Sequence, residues 1–161
     1  MRRLAIVSGS GQSSPRASTV AIVTIAIVPD YSLAAILASA EIERFYSGLS
    51  VLASSAADER RCAALAAFGA LDLMLDEDLM RRAQEPDRTP SLSWAGREAF
   101  AVSLVKLRDT VLSLEGLSIY ACSASVETML LPEGRVEDRL AGVMSTPRFL
   151  RETAGAPLLH V

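Results

Sequence analysis

The chain has 161 residues, of which 50% are apolar, 5% aromatic and 22% charged, and its formal net charge is −3. This length is typical of one domain. The mildly acidic balance, without a basic run, argues against nucleic acid as the main partner. A mean hydropathy of +0.30 with so few aromatic residues predicts a core of small and aliphatic side chains, together with a buried subunit interface.

Cysteine, histidine and lysine are scarce, which narrows the possible chemistry. A structural zinc site needs four ligands, and the scattered Cys62, Cys122 and His160 do not supply them, so we expect no metal site. Lys106 is the only lysine and lacks the glycine motif of a phosphate-binding loop. Two cysteines far apart in sequence form no disulfide framework and favour a reducing, cytoplasmic location.

The first third of the chain is apolar and lacks a decisive periodicity. Leu4–Val7 predicts a short buried strand that leads into a loop of small residues, Ser8–Ser14. The next segment, 17–28, is β-branched and could form a strand or a buried crossover helix. The apolar run 19–28 has features of a signal peptide, because arginines precede it and Ala38-Ser39-Ala40 resembles a cleavage site, but Pro29 ends the run. With about ten residues, the run is too short to cross a membrane.

The middle of the chain predicts one strand and several helices. Leu33–Ala38 is a strand candidate, and a short helix ending at Gly48 follows it. Between Ser50 and Pro90 the sequence is more charged, and we expect Asp58 to cap a helix through 60–67 and another helix over 71–83. Two prolines indicate a loop over 85–93.

The clearest helix begins at Ser93. Phe100, Leu104, Leu107, Val111 and Leu114 recur at steps of three and four residues, whereas Arg108 is expected off this face. Gly116 can end the helix in a left-handed conformation.

The last third alternates quickly between strand and helix patterns. We predict strands at 117–121, 140–144 and 157–161, a turn at 122–125, and helices at 126–131 and 148–153. Alternation of this kind predicts a three-layer α/β fold, in which a mostly parallel sheet of about five strands carries helices on both faces.

Chemistry in such a sheet is expected at the carboxyl ends of its strands. The residues predicted there, as members of a possible pocket, are Ser8, Gly9, Ser10, Ser39, Cys122, Ser145 and His160. Only Cys122 is a strong nucleophile. The N–H groups and dipole of the helix expected after it favour a thiolate, which gives Ser123, Ala124 and Ser125 a stabilising role. The alternative is a buried, inert cysteine.

Three further groups are weaker candidates for a chemical role. Cys62 lies in an Ala-rich stretch predicted to be helical, where it serves packing or acts as a second redox thiol. His160 could assist proton transfer or lie on the surface. Ser145-Thr146-Pro147 is interpreted as a helix cap.

Residues 117–129 read Leu-Ser-Ile-Tyr-Ala-Cys-Ser-Ala-Ser-Val-Glu-Thr-Met, and Leu140–Val143 and Phe149-Leu150 follow. This pattern resembles the C-terminal half of the DsrE/DsrF family of sulfur-relay proteins, which includes TusD-like members. Leu4–Val7 and Ala34–Leu37 are similar to its N-terminal half, and that alignment makes 17–28 a helix.

In that family the cysteine after this strand carries sulfur, and the match falls on Cys122. The resemblance implies one flavodoxin-like domain over 1–161 with a divergent helical segment at about 50–90. It also implies a homotrimer or homohexamer whose partner is a sulfur donor or acceptor protein. We expect such a protein in the cytoplasm and without a cofactor.

Two other functions stay open. The loop 8–16 resembles the phosphate loop of flavodoxin-like FMN reductases, which predicts an FMN-binding protein. Alternatively, the chain is a non-catalytic subunit of an oligomer in which Cys122 only fills space.

Overall fold

The computed structural model describes residues 30–58, 60–132 and 134–161. The strand predicted at Leu4–Val7, the loop with Ser8, Gly9 and Ser10, and the helix predicted over 17–28 lie outside these residues.

The described chain forms a five-stranded, entirely parallel sheet in the order β4-β3-β2-β1-β5. The strands are β1 Leu33–Leu37, β2 Cys62–Ala66, β3 Leu117–Cys122, β4 Val143–Met144 and β5 Leu158–His160. The helices are α1 Ile42–Ala57, α2 Phe68–Leu75, α3 Leu79–Ala83, α4 Trp94–Ser113, α5 Ser123–Thr128 and α6 Thr146–Glu152. The predicted three-layer α/β architecture is therefore confirmed.

Two apolar clusters pack on opposite faces of the sheet. The larger one joins alternate strand residues such as Ala35 and Ile119 to helices α1, α2, α3 and α4. The smaller one joins the intervening strand residues, among them Leu65 and Cys122, to Phe149 of α6. Because consecutive strand residues point to opposite faces, the period of two along each strand produces this division.

The prediction of a helix over 60–67 is wrong, because Cys62–Ala66 form strand β2. All five of its residues are buried, and they pair with β1 on one side and β3 on the other. Asp58 is the C-cap of α1 and does not begin a new helix. Alanine favours helices, but its small side chain also fits a central strand covered on both faces, and this burial outweighs its intrinsic propensity.

Helix α1 is longer than predicted, since it continues through Gly48 to Ala57. A Cβ at Gly48 would lie 2.8 Å from Leu37 Cδ2, so this glycine allows close packing against β1 and does not end the helix. Strand β4 is shorter than predicted, covering two residues of 140–144. The turn predicted at 122–125 is also wrong, because α5 begins directly at Ser123.

Helix α4 agrees with its predicted start and end. The Ser93 side chain accepts a hydrogen bond from the Gly96 N–H, and Gly116 has a φ of +83°. Arg108, however, is buried rather than on the outer face. Its Nη1 donates to the Asp76 carbonyl oxygen at 2.5 Å, so this side chain ties α4 to the loop after α2.

Candidate functional site

Cys122 lies where strand β3 ends and helix α5 begins. Its side chain belongs to the apolar cluster on the α6 face of the sheet, with Met144 and Phe149. The residue is 5% exposed, so the thiol is almost enclosed by protein. The unpaired cysteine is thus held at the carboxyl edge of the sheet, as the sequence predicted.

Thr146 brings a hydroxyl group to this thiol. Cys122 is in register with Met144, and Thr146 follows two residues later as the first residue of α6. The Thr146 Oγ1 lies 3.7 Å from the Cys122 Sγ, within hydrogen-bonding distance for sulfur. The prediction that Ser145-Thr146-Pro147 only caps a helix is wrong for Thr146. Ser145 is the N-cap of α6, but no side-chain hydrogen bond is made there.

Ser125 connects the same site to the end of strand β2. Its side chain is completely buried, and its Oγ accepts a hydrogen bond of 3.0 Å from the Phe68 N–H. Since that bond uses the oxygen as an acceptor, the Ser125 hydroxyl proton is free for another partner, and this hydroxyl is one of the groups that lower the pKa of the Cys122 thiol.

Phe68 reaches Ser125 through an unusual backbone conformation. It follows β2 with a φ of +43°, a left-handed region that residues other than glycine rarely adopt. The residue is 51% exposed at the carboxyl edge of the sheet. Strained backbone of this kind is often found near functional sites, because the surrounding structure must hold it in place.

The polar groups around Cys122 decide its ionisation. Burial raises the pKa of the thiol, but hydrogen bonds from the Ser125 N–H, the Thr146 hydroxyl, the Ser125 hydroxyl and the Ala124 N–H lower it. Together these donors hold the pKa below its ordinary value. Because the thiolate is the nucleophilic form of cysteine, this environment increases the reactive fraction.

Cys62 lies in a contrasting environment. It is the first residue of β2, completely buried on the opposite face of the sheet, and its Sγ donates to the Arg60 carbonyl oxygen at 3.5 Å. Burial raises the pKa of this thiol above its ordinary value, and the Arg60 charge offsets only part of the effect.

The two cysteines are also too far apart to pair. Cys62 is in register with Leu117, at the other end of β3 from Cys122. Five residues of strand separate these ends by roughly 17 Å. A disulfide requires Cα atoms within about 7 Å, so this geometry excludes an intrachain bond between them.

His160 and Ser39, which the sequence also placed in the pocket, do not lie beside Cys122. His160 is exposed on β5, three strands from β3, and therefore about 14 Å from that strand. Ser39 follows β1, two strands away, where its Oγ accepts a hydrogen bond of 3.0 Å from the Glu41 N–H. Ser123 is half-buried and Ala124 exposed in the first turn of α5.

The sequence placed Thr146 after a strand but interpreted it as part of a helix cap, and it gave no sign of the Phe68 N–H. The strand order places β4 beside β3, and β2 on its other side. Thr146 therefore reaches Cys122, and the Phe68 N–H reaches Ser125, from neighbouring strand ends. A hydroxyl residue two positions after a predicted strand was the available signal for Thr146.

No family model matches the chain, and no curated protein shows significant similarity to it. Among the residues that the structure describes, no three His, Cys, Asp or Glu side chains are grouped so that they could hold a metal ion. No helix within the described ranges has the length and apolar character needed to cross a membrane.

Proposed function

We propose that this protein is a sulfur carrier of the DsrE-like type, in which Cys122 accepts a sulfane sulfur as a persulfide and passes it on. The observation that carries the proposal is the set of donors around the Cys122 sulfur. Thr146 Oγ1 lies 3.7 Å from it, and the buried Ser125 hydroxyl is fixed by the Phe68 N–H. These donors favour an anion on sulfur, as sulfur transfer requires.

The loading step is a displacement at sulfur without net oxidation. The Cys122 thiolate attacks the outer sulfur of a donor persulfide, R–S–SH. A new S–S bond forms at Sγ while the donor's S–S bond breaks, and R–S⁻ leaves with the bonding electron pair. The product is Cys122–S–SH. Delivery is the same reaction in reverse, with a thiolate of the acceptor attacking the outer sulfur and Cys122 leaving as the stabilised thiolate.

The small exposed fraction of Cys122 limits which donors fit. A donor must present a terminal sulfur at the carboxyl edge of the sheet, where the exposed ring of Phe68 also lies. The proposed partner is therefore a protein with a persulfide on a protruding cysteine, acting in a reducing compartment such as the cytoplasm. A homotrimer or homohexamer is the proposed assembly.

Sulfur loading followed by intact mass tests this function. The reduced wild-type chain, Cys62→Ser and Cys122→Ser are each incubated with glutathione persulfide, and the mass is recorded before and after reduction. We expect one added sulfur on the wild type and on Cys62→Ser, removed by reductant, and none on Cys122→Ser. Equal loading of Cys122→Ser, or no loading of the wild type, would overturn the proposal.

The second candidate is a non-catalytic subunit, and the 5% exposure of Cys122 is the observation that favours it. A thiol that only fills space stays unmodified by iodoacetamide in the folded protein at neutral pH and reacts only after unfolding. Alkylation of Cys122 in the native state, with Cys62 unmodified, would leave the sulfur carrier as the better account.

A further inference from the structure

Helix α2 begins without a capping side chain of its own. Its N-cap is Ala67, which has no side-chain acceptor, so the first N–H of the helix, that of Phe68, needs a partner from elsewhere. Ser125 supplies this partner, because its buried Oγ accepts the Phe68 N–H at 3.0 Å. Ser125 belongs to α5, so one helix caps another that lies 57 residues away in the sequence.

The same hydroxyl group lies beside Cys122. Cys122 is the N-cap of α5 and Ser125 is the third residue of that helix, and these two positions are neighbours in the first turn of a helix. Since the Ser125 oxygen accepts from Phe68, its proton stays available, and the hydroxyl lowers the pKa of the Cys122 thiol. Linked polar groups polarise one another, so the amino terminus of α2 strengthens the effect of Ser125 on the sulfur.

The backbone on both sides of Phe68 is held in place by strand β1 and the loop after it. The Ala67 N–H donates to the Leu37 carbonyl oxygen at 2.8 Å, which fixes the residue before Phe68. The residue after it, Gly69, packs so closely that a Cβ there would lie 2.7 Å from the backbone N and Cα of Ala40. Phe68 connects these two fixed points with a φ of +43°. A change of φ at Phe68 must therefore move either α2 or the peptide group that carries the N–H.

We propose that Phe68 and Gly69 are positioning residues of the Cys122 site, which act through Ser125 and not by contact with the sulfur. This inference rests on the proposed function of Cys122. It adds the start of α2 and the loop after β1 to the elements that set the reactivity of the thiol. The role belongs to the backbone of the two residues, because Phe68 contributes its N–H and its left-handed conformation, and Gly69 contributes the absence of a side chain.

Two substitutions of Phe68 separate the role of its backbone from that of its side chain. Glycine adopts a positive φ without strain and keeps the N–H, whereas the β-branched valine disfavours this conformation. Both remove the phenyl ring of a half-exposed residue. In a Cys62→Ser background, we expect Phe68→Gly to keep the wild-type pH midpoint of Cys122 alkylation by iodoacetamide. Phe68→Val should raise this midpoint by roughly 0.5–1 pH unit, as expected for the loss of one hydrogen bond.

Gly69→Ala gives a second, independent readout. The added methyl group forces α2 away from Ala40, so the alkylation midpoint should rise by a similar amount. Val111→Ala is the matched control for loss of stability, because Val111 is completely buried in the last turn of α4. That turn leads to the start of β3, whereas Cys122 lies at the end of the strand. We therefore expect Val111→Ala to lower the melting temperature and to keep the wild-type midpoint.

An unchanged midpoint in Phe68→Val or Gly69→Ala, with a melting curve that shows the variant folded, would overturn the role of that residue. A raised midpoint in Phe68→Gly or Val111→Ala, or a wild-type thiol that reacts only after unfolding, would overturn the proposal as a whole. Sulfur loading separates this outcome from the proposed function. Loading of the wild type together with unchanged midpoints would refute only the positioning role, and shifted midpoints without loading would refute only the sulfur carrier.

Discussion

Replacing Ser125 with alanine removes a side-chain hydrogen bond that joins α5 to the end of strand β2. The Ser125 Oγ is completely buried and accepts the Phe68 N–H at 3.0 Å. Alanine fits the same space but offers no acceptor, so the Phe68 N–H loses its partner. The same change removes one of the groups that lower the pKa of the Cys122 thiol.

The expected loss of stability follows from the surroundings of that bond. A donor left unsatisfied in the interior costs about 1–3 kcal/mol. Because the Ser125 hydroxyl that accepts this bond is completely buried, we expect a loss of about 1–3 kcal/mol for Ser125→Ala. For a chain of this size each kcal/mol lowers the melting temperature by roughly 2–4 °C.

Urea denaturation and thermal unfolding measure this loss, with Ser123→Ala as the matched control. Ser123 is half-buried in the same turn of α5, so its replacement should change the free energy of unfolding by less than about 0.5 kcal/mol. Equal effects of the two substitutions would refute the idea that the Phe68–Ser125 bond holds the site together.

Three further substitutions test separate parts of the account. Gly69→Ala should destabilise the fold by about 1–3 kcal/mol in urea, because its Cβ would lie 2.7 Å from the backbone N and Cα of Ala40. A neutral result would show that α2 can move away from that loop. Leu130→Gly should stabilise by about 0.5–1 kcal/mol, because Leu130 has a φ of +51° and is 87% exposed. Unchanged or lower stability of the variant would contradict the presence of backbone strain at Leu130. Thr146→Val removes the hydroxyl beside Cys122 and should shift the pH midpoint of alkylation upward, whereas an unchanged midpoint would exclude a role for that hydroxyl.

The parts of the fold predicted correctly are those with a local signal. The apolar spacing and the Ser93 cap predicted α4, and short apolar runs predicted strands β1 and β3. Cys122 was placed correctly because the position of a residue at a strand end can be read from the chain itself.

The errors arise where tertiary contacts override local preference. Strand β2 has an alanine-rich helical composition, but its residues are buried between two strands. Arg108 interrupts the apolar pattern of α4, but its charge reaches the Asp76 carbonyl oxygen. The meeting of Thr146 with Cys122 depends on the order of strands, which single-chain periodicity does not contain.

Ionisation of the Cys122 thiol in the folded protein tests the central claim most directly. In a Cys62→Ser background, the iodoacetamide rate at Cys122 is measured against pH by peptide mass, with free cysteine as the reference. Because hydrogen bonds lower the folded-state pKa, we expect the rate to reach half its maximum at a lower pH than for free cysteine. Because the thiol has a lower pKa in the folded protein than in the unfolded chain, its ionisation stabilises the fold at pH values above the unfolded-state pKa. This stabilisation is lost as the pH falls through the folded-state pKa. A midpoint above that of free cysteine, or no alkylation before unfolding, would contradict the claim that Cys122 is an activated nucleophile.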